Sequence, residues 1–249
     1  MKVLCKAIVF ALALLLTNAY SAEIRLKGVD QSIVAVEFTG EIQASDFDAL
    51  RRLIEPRLAT NNSFRWIFLN SPGGDVATAM KIGRYIRRLE FDTNVNESSR
   101  CLSSCVFILA AGLDKNVSGT NIIGIHRPFG TSVGSVSRED ATRTYREMTA
   151  QIYAYFNEMN IPQSLSEEML RIPPEDMKML TFDQTMRFGL VGKDPVAQEI
   201  DDSANAKRYG ISRQEYLVRR NRALNACKLP PPNVLLDTNC YHAILMGKH

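Results

Sequence analysis

Apolar and polar residues alternate from Ser32 to Phe38, a period of two that predicts a strand, and Gly40 then breaks it. The period changes at once. Phe47, Leu50, Leu53, Ile54 and Leu58 recur at helical spacing across Asp46 to Leu58. Arg65 to Leu69 is a nearly continuous apolar run, as expected of a buried parallel strand, and Ser71-Pro72-Gly73-Gly74 ends it. Val76, Ala79, Met80, Gly83 and Ile86 then mark one face of a second helix. The cycle repeats with a strand at Thr93 to Asn96, a tight turn of cysteines and serines, a helix at Ser104 to Gly112 and a strand at Asn121 to Ile125. Strand and helix in alternation imply right-handed crossovers onto a largely parallel sheet, an α/β fold whose sites collect beyond the carboxyl ends of the strands. The Gly73 and Ser103 turns both fall at such ends.

Beyond Gly130 the character changes. Ser137 and Asp140 resemble a capping box, with Asp in the place of the usual Glu or Gln, and Tyr145, Met148, Ile152, Tyr155 and Met159 continue a long amphipathic helix. That helix is expected either to dock on the core or to form a subunit contact. Ala197 to Lys207 is polar and reads as a linker, and Ser212 to Ala226 as a basic helix.

Composition adds a compartment. Lys2 and Lys6 precede a short apolar run, Ala7 to Leu16, and either Thr17-Asn18-Ala19 or Ala19-Tyr20-Ser21 offers small residues for a signal peptidase. The run is too short to cross a hydrocarbon layer of ~30 Å, so a cleaved signal is expected over a retained anchor, and Cys5 lies ahead of the run, which disfavours a lipoprotein signal. The chain divides into a signal peptide (1–22), an α/β domain (23–197) and a C-terminal extension (198–249), with the mature protein periplasmic or secreted. The formal net charge of the 249 residues is +3, and loss of the two leader lysines brings it nearer to balance, which gives no reason to expect a nucleic-acid partner.

Four cysteines remain after the leader, and in an exported chain they favour disulfides over metal. Three connectivities exist; the pairs nearest in sequence are Cys101 with Cys105 and Cys227 with Cys240. Closing the latter loop, which contains Pro230-Pro231-Pro232, is worth ~3 kcal/mol by chain entropy. Zinc is a weaker alternative, with His242 near Cys240 but no C-x-x-C pair.

A serine hydroxyl becomes a nucleophile when a base takes its proton and donors stabilise the oxyanion that forms. Ser103 sits in a strand-to-helix turn. Gly73 and Gly74 lack the side chain that would hold a ligand away from the backbone, and the N–H of Ser104, opening the next helix, can point at the same oxygen. Three histidines occur, and only His126 lies outside the C-terminal tail. It follows an apolar strand directly and precedes Arg127-Pro128. Each signal has a plain structural alternative: punctuation for Ser71 to Asp75, close packing for Ser103, a hydrogen-bonded core residue for His126.

Taken in order, Asn70-Ser-Pro-Gly-Gly, Ser103 followed by F-I-L-A-A-G, and Ile125-His-Arg-Pro-Phe-Gly are similar to the I-N-S-P-G-G, A-S-M-x-x-x-L-L-A-A-G and I-H-Q-P-x-G segments of the peptidase subunit of the Clp protease. The resemblance runs from about Phe38 to Val191. It implies the ClpP/crotonase-like fold of repeated β-β-α units with a mainly parallel sheet, here followed by a helical, disulfide-stapled extension. It also implies Ser103 as nucleophile, His126 as base, and the N–H groups of Gly73, Gly74 and Ser104 as the oxyanion hole. The family's acid precedes a segment that here reads as Pro173 to Gly192; Asp176 is the nearest candidate, one residue out of register, with Glu175 and Asp183 as alternatives. Cysteines replace small residues at 101 and 105, a departure that raises the prospect of a strained bridge twisting Ser103 away from His126.

The expectation is a serine hydrolase of peptidase type acting on a peptide or protein, without cofactor or metal, homo-oligomeric, and without the ATPase that works in the cytoplasm. The alternatives are an inactive peptide- or protein-binding module, a crotonase-like acyl-thioester enzyme, and a serine–lysine dyad using Lys81 or Lys115.

Overall fold

The computed structural model describes residues 21–30, 32–58, 64–119, 122–129, 137–228 and 236–248. The leader run Ala7 to Leu16, the three prolines at 230–232, and His249 lie outside them.

Two strands, β1 (Glu23–Val29) and β2 (Ile33–Thr39), form an antiparallel hairpin. β1 was not anticipated, although Ile24 and Leu26 alternate with Glu23, Arg25 and Lys27. α1 (Asp46–Ile54) begins where the apolar spacing predicts and passes at Pro56 into a short 3-10 turn, Glu55–Arg57. Next come β3 (Phe64–Asn70) and α2 (Val76–Arg88), whose first turn is capped by Asp75 accepting the Thr78 N–H at 2.7 Å. β4 (Asp92–Val95), β5 (Cys101–Leu102), α3 (Cys105–Ala110), β6 (Asp114–Val117) and β7 (Ile123–Ile125) complete the α/β core. α4 (Arg138–Glu158), α5 (Gln163–Arg171), β8 (Lys178–Met179), α6 (Phe182–Arg187) and β9 (Gly192–Lys193) follow.

The larger sheet runs β1-β2-β3-β4-β6-β9. Its four central strands are parallel, and β1 and β9 close the edges antiparallel. A second sheet, β5-β7-β8, places β5 parallel to β7 and β8 antiparallel to β7. This small sheet carries the residues on either side of the candidate site.

α3 has no polar face, and all six of its residues are buried. Such a helix must be covered on every side. Phe107 stacks on Phe156 of α4 with ring centroids 4.9 Å apart, and the Tyr155 hydroxyl donates to the Phe107 carbonyl at 2.6 Å. Burial pushes the Tyr155 phenol far above its ordinary pKa. Truncating Phe107 to Ala would cost about 3–5 kcal/mol. The α4 stripe docks from Met148 onward: Met148 is half-buried against the core and Ile152, Tyr155, Phe156 and Met159 are buried, whereas Tyr145 is 42 % exposed.

The stretch expected as a linker is helical. α7 (Pro195–Arg208) passes unbroken through positions 197 and 198. Its polar residues form a solvated face, and its start is strongly specified: Pro195 stands at the first turn and Asp194 accepts the Val196 and Ala197 N–H groups at 2.9 and 3.1 Å. Asp194, 1 % exposed, also pairs with Arg87 of α2 at 2.6 Å and accepts from Asn160 at 2.9 Å. Burial pushes its pKa up, but Arg87, Asn160 and the Ala197 N–H together outweigh that and hold the carboxyl below the usual range. α8 (Arg213–Ala226) and α9 (Thr238–Leu245) complete the extension, and a Cys227–Cys240 disulfide ties them together. No helix among the described residues is long and apolar enough to cross a membrane, and no group of His, Cys, Asp or Glu among them is arranged to hold a metal ion.

Candidate active site

β5 ends at Leu102 and α3 begins at Cys105, so the chain reverses within Ser103 and Ser104. Ser103 takes a φ of 54°, the left-handed region that disfavours any residue with a Cβ. Such a conformation costs about 1–3 kcal/mol and persists where its surroundings over-determine it. They do so here. The Ser103 N–H donates to the Gly124 carbonyl at 2.9 Å, and the Leu102 N–H donates to the Ser71 carbonyl at 3.0 Å. A Cys101–Cys105 disulfide, both residues 0 % exposed, bridges the foot of the turn.

The result is a serine projecting from the turn toward the end of β7. Ser103 Oγ lies 2.6 Å from His126 Nε2, within normal hydrogen-bond reach. His126 follows β7 directly and is 7 % exposed; the Arg127 N–H, donating to the Ile172 carbonyl at 2.9 Å, holds the strand end in place. Burial lowers the His126 pKa, against a weaker opposing pull from the Arg127 backbone. The bridge at Cys101–Cys105 therefore coexists with a closed serine–histidine contact and does not twist the two apart.

The glycine turn faces the same serine. Gly73 has a φ of 102° and Gly74 of 140°, both left-handed. A Cβ on Gly73 would fall 2.6 Å from Ser103 Cβ and 3.0 Å from the Ser104 nitrogen, so only glycine permits this approach. Ile42 clasps the turn from behind, donating its N–H to the Gly73 carbonyl and accepting the Asp75 N–H, each at 2.8 Å. Sequence reasoning missed two features here. Ser71 is wholly buried and its hydroxyl accepts the Gly73 N–H at 3.1 Å. Among the described residues, the N–H groups of Gly74 and Ser104 have no such acceptor.

Asp176 is not brought to His126. It lies exposed in the turn before β8, and Nδ1 of His126 is buried without a hydrogen-bond partner among the described residues. Glu175 and Asp183 are exposed as well. The cause is the period of two along an extended segment. The Met177 and Met179 sulfurs stand over Gly124, 2.8 and 3.0 Å from where its Cβ would be, and the intervening Lys178 pairs instead with Glu168. The lysine alternatives are also occupied elsewhere. Lys81 Nζ sits 4.0 Å from the Phe47 ring centroid, and Lys115 is buried on β6, donating to the Gly112 carbonyl at 3.3 Å, its pKa brought down by burial to about 8.

Fold and site together define an α/β protein with a serine on a strained strand-to-helix turn, in contact with a single histidine. A Clp protease family model matches residues 57–198, more than half of the chain. The chain belongs to the Clp protease family. No curated protein matches it significantly.

Proposed function

We propose that the protein is an exported serine hydrolase of peptidase type, with Ser103 as nucleophile and His126 as general base. The observation that carries this is the 2.6 Å contact between Ser103 Oγ and His126 Nε2. Neutral His126 takes the hydroxyl proton at Nε2 while Oγ attacks the substrate carbonyl carbon, giving a tetrahedral oxyanion. The N–H groups of Gly74 and Ser104 receive that oxygen, joined by Gly73 if its N–H leaves Ser71. His126 then gives the proton to the leaving amine, and an acyl-enzyme remains. Water, deprotonated by the same histidine, releases the acid and restores Ser103. No step calls for a cofactor.

A serine–histidine pair without its acid is a weak catalyst: mispairing the aspartate of a serine protease triad lowers turnover about 10⁴-fold. The unpartnered Nδ1 of His126 therefore favours one second reading, a peptide-binding module whose serine no longer cuts. A fluorophosphonate probe separates the two. Labelling that disappears in Ser103→Ala supports the hydrolase; a wild-type protein that stays unlabelled at long incubation sinks it and leaves the binder.

Export rests on the leader pattern and on two disulfides in a chain of this size. The substrate we assign is a peptide or protein outside the cytoplasm, reached without an ATP-driven partner.

A further inference from the structure

Asp46, in the first turn of α1, is a charged residue with no exposed surface. Its carboxylate accepts the Gln43 N–H at 2.8 Å and the Ala22 N–H at 3.4 Å, and the Ser21 hydroxyl donates to it as well. No Lys, Arg or His side chain among the described residues pairs with it. A buried carboxylate without a cation is costly, and chains normally supply one.

The leader's small residues offer two cutting positions, after Ala19 and after Ser21, the second one residue ahead of the 1–22 boundary expected from the sequence. Only the second turns the Ala22 nitrogen, already at the Asp46 carboxylate, into an α-ammonium. We propose that processing occurs between Ser21 and Ala22, and that the new N-terminus forms an ion pair with the buried Asp46. The step is a hydrolysis by a signal peptidase: water adds across the amide, Ser21 leaves with the carboxylate on the leader fragment, and Ala22 keeps the nitrogen as an ammonium. Its three donors replace the hydroxyl and amide contacts that the cut removes or changes.

The pair reaches the active site through two residues. Asp46 holds the Gln43 N–H, and the preceding Ile42 clasps the Gly73–Gly74 turn on both sides. Processing thus braces the turn that packs against Ser103. This inference rests on the export reading, and the two fail in different ways.

The test begins with N-terminal sequencing of protein recovered from the periplasm of a bacterial host expressing the full chain. A start at Ala22 supports the proposal. A start at Tyr20 overturns it while leaving export intact, and a chain that keeps Met1 in the cytoplasm overturns both. Asp46→Asn is then compared in the form starting at Ala22 and in one starting at Tyr20, because Asn still accepts the Gln43 N–H but carries no charge. The expected fall in fluorophosphonate labelling rate is about tenfold greater in the Ala22 form, and thermal denaturation should show the same ordering. Equal losses in the two forms would overturn the ion pair.

Discussion

Gly73 and Ser103 share a contact that leaves no room for a side chain: a Cβ on Gly73 would lie 2.6 Å from that of Ser103. The close approach brings the glycine turn and the serine turn together, and both turns adopt left-handed backbone to achieve it.

Gly73→Ala should therefore harm function and stability together. The substitution meets both a φ of 102° and a steric clash with Ser103. We expect fluorophosphonate labelling to fall at least ~100-fold, as when an oxyanion donor is lost, and stability to drop by about 1–3 kcal/mol. Labelling within twofold of wild type would show that the turn is not part of the reacting site.

The pH dependence follows from His126. Its pKa is lowered by burial, so the neutral base persists below the usual histidine value of ~6.5. The acid limb of the labelling rate should accordingly have its midpoint below that value. For stability the sign is the same. Between the lowered folded pKa and the unfolded one, the unfolded chain binds more protons, so stability rises with pH across that window and is lost as pH falls through it. A midpoint above 7 would contradict this.

Asp176→Asn should leave the labelling rate within about twofold, since the carboxylate is exposed and Nδ1 of His126 has no partner among the described residues. A loss comparable to Ser103→Ala would mean that the reacting state draws this turn inward.

The two cysteines beside Ser103 should be a structural clamp. The double variant Cys101→Ala, Cys105→Ala opens a loop of about five residues, for which chain entropy predicts a loss of ~2 kcal/mol. Labelling should survive, because the Leu102 and Ser103 N–H groups still fix the turn through Ser71 and Gly124. Reductant without denaturant should leave the bridge intact, both residues being fully buried; rapid reduction of the native protein, read by thiol titration, would refute this.

Asp194→Ala should cost about 3–5 kcal/mol in denaturant unfolding, because it strands the Arg87 guanidinium and uncaps α7 at once.

The alternation of β2, α1, β3, α2, β4, α3 and β7, the parallel core and the three motif segments were legible in the sequence because each rests on local information: a period of two or 3.6, or a glycine where the backbone must turn. Proximity in the chain named Cys101 with Cys105 and Cys227 with Cys240 among three possible connectivities, and the fold selected those two pairs. β6, Asp-Lys-Asn-Val, carries no apolar pattern and forms through its pairing with β4 and β9. α7 was hidden for a similar reason: its polar composition looks like a linker until Asp194 is seen to cap it and hold Arg87. Periodicity thus set the α/β class, and the resemblance of three motif segments to the Clp peptidase singled out the serine, the histidine and the glycine turn. Tertiary structure alone decided that Ser103 touches His126, that one residue of register along an extended segment puts Met177 rather than Asp176 over Gly124, and that a buried Asp46 waits at Ala22. Those outcomes depend on distances between segments far apart in the chain, which no local pattern encodes.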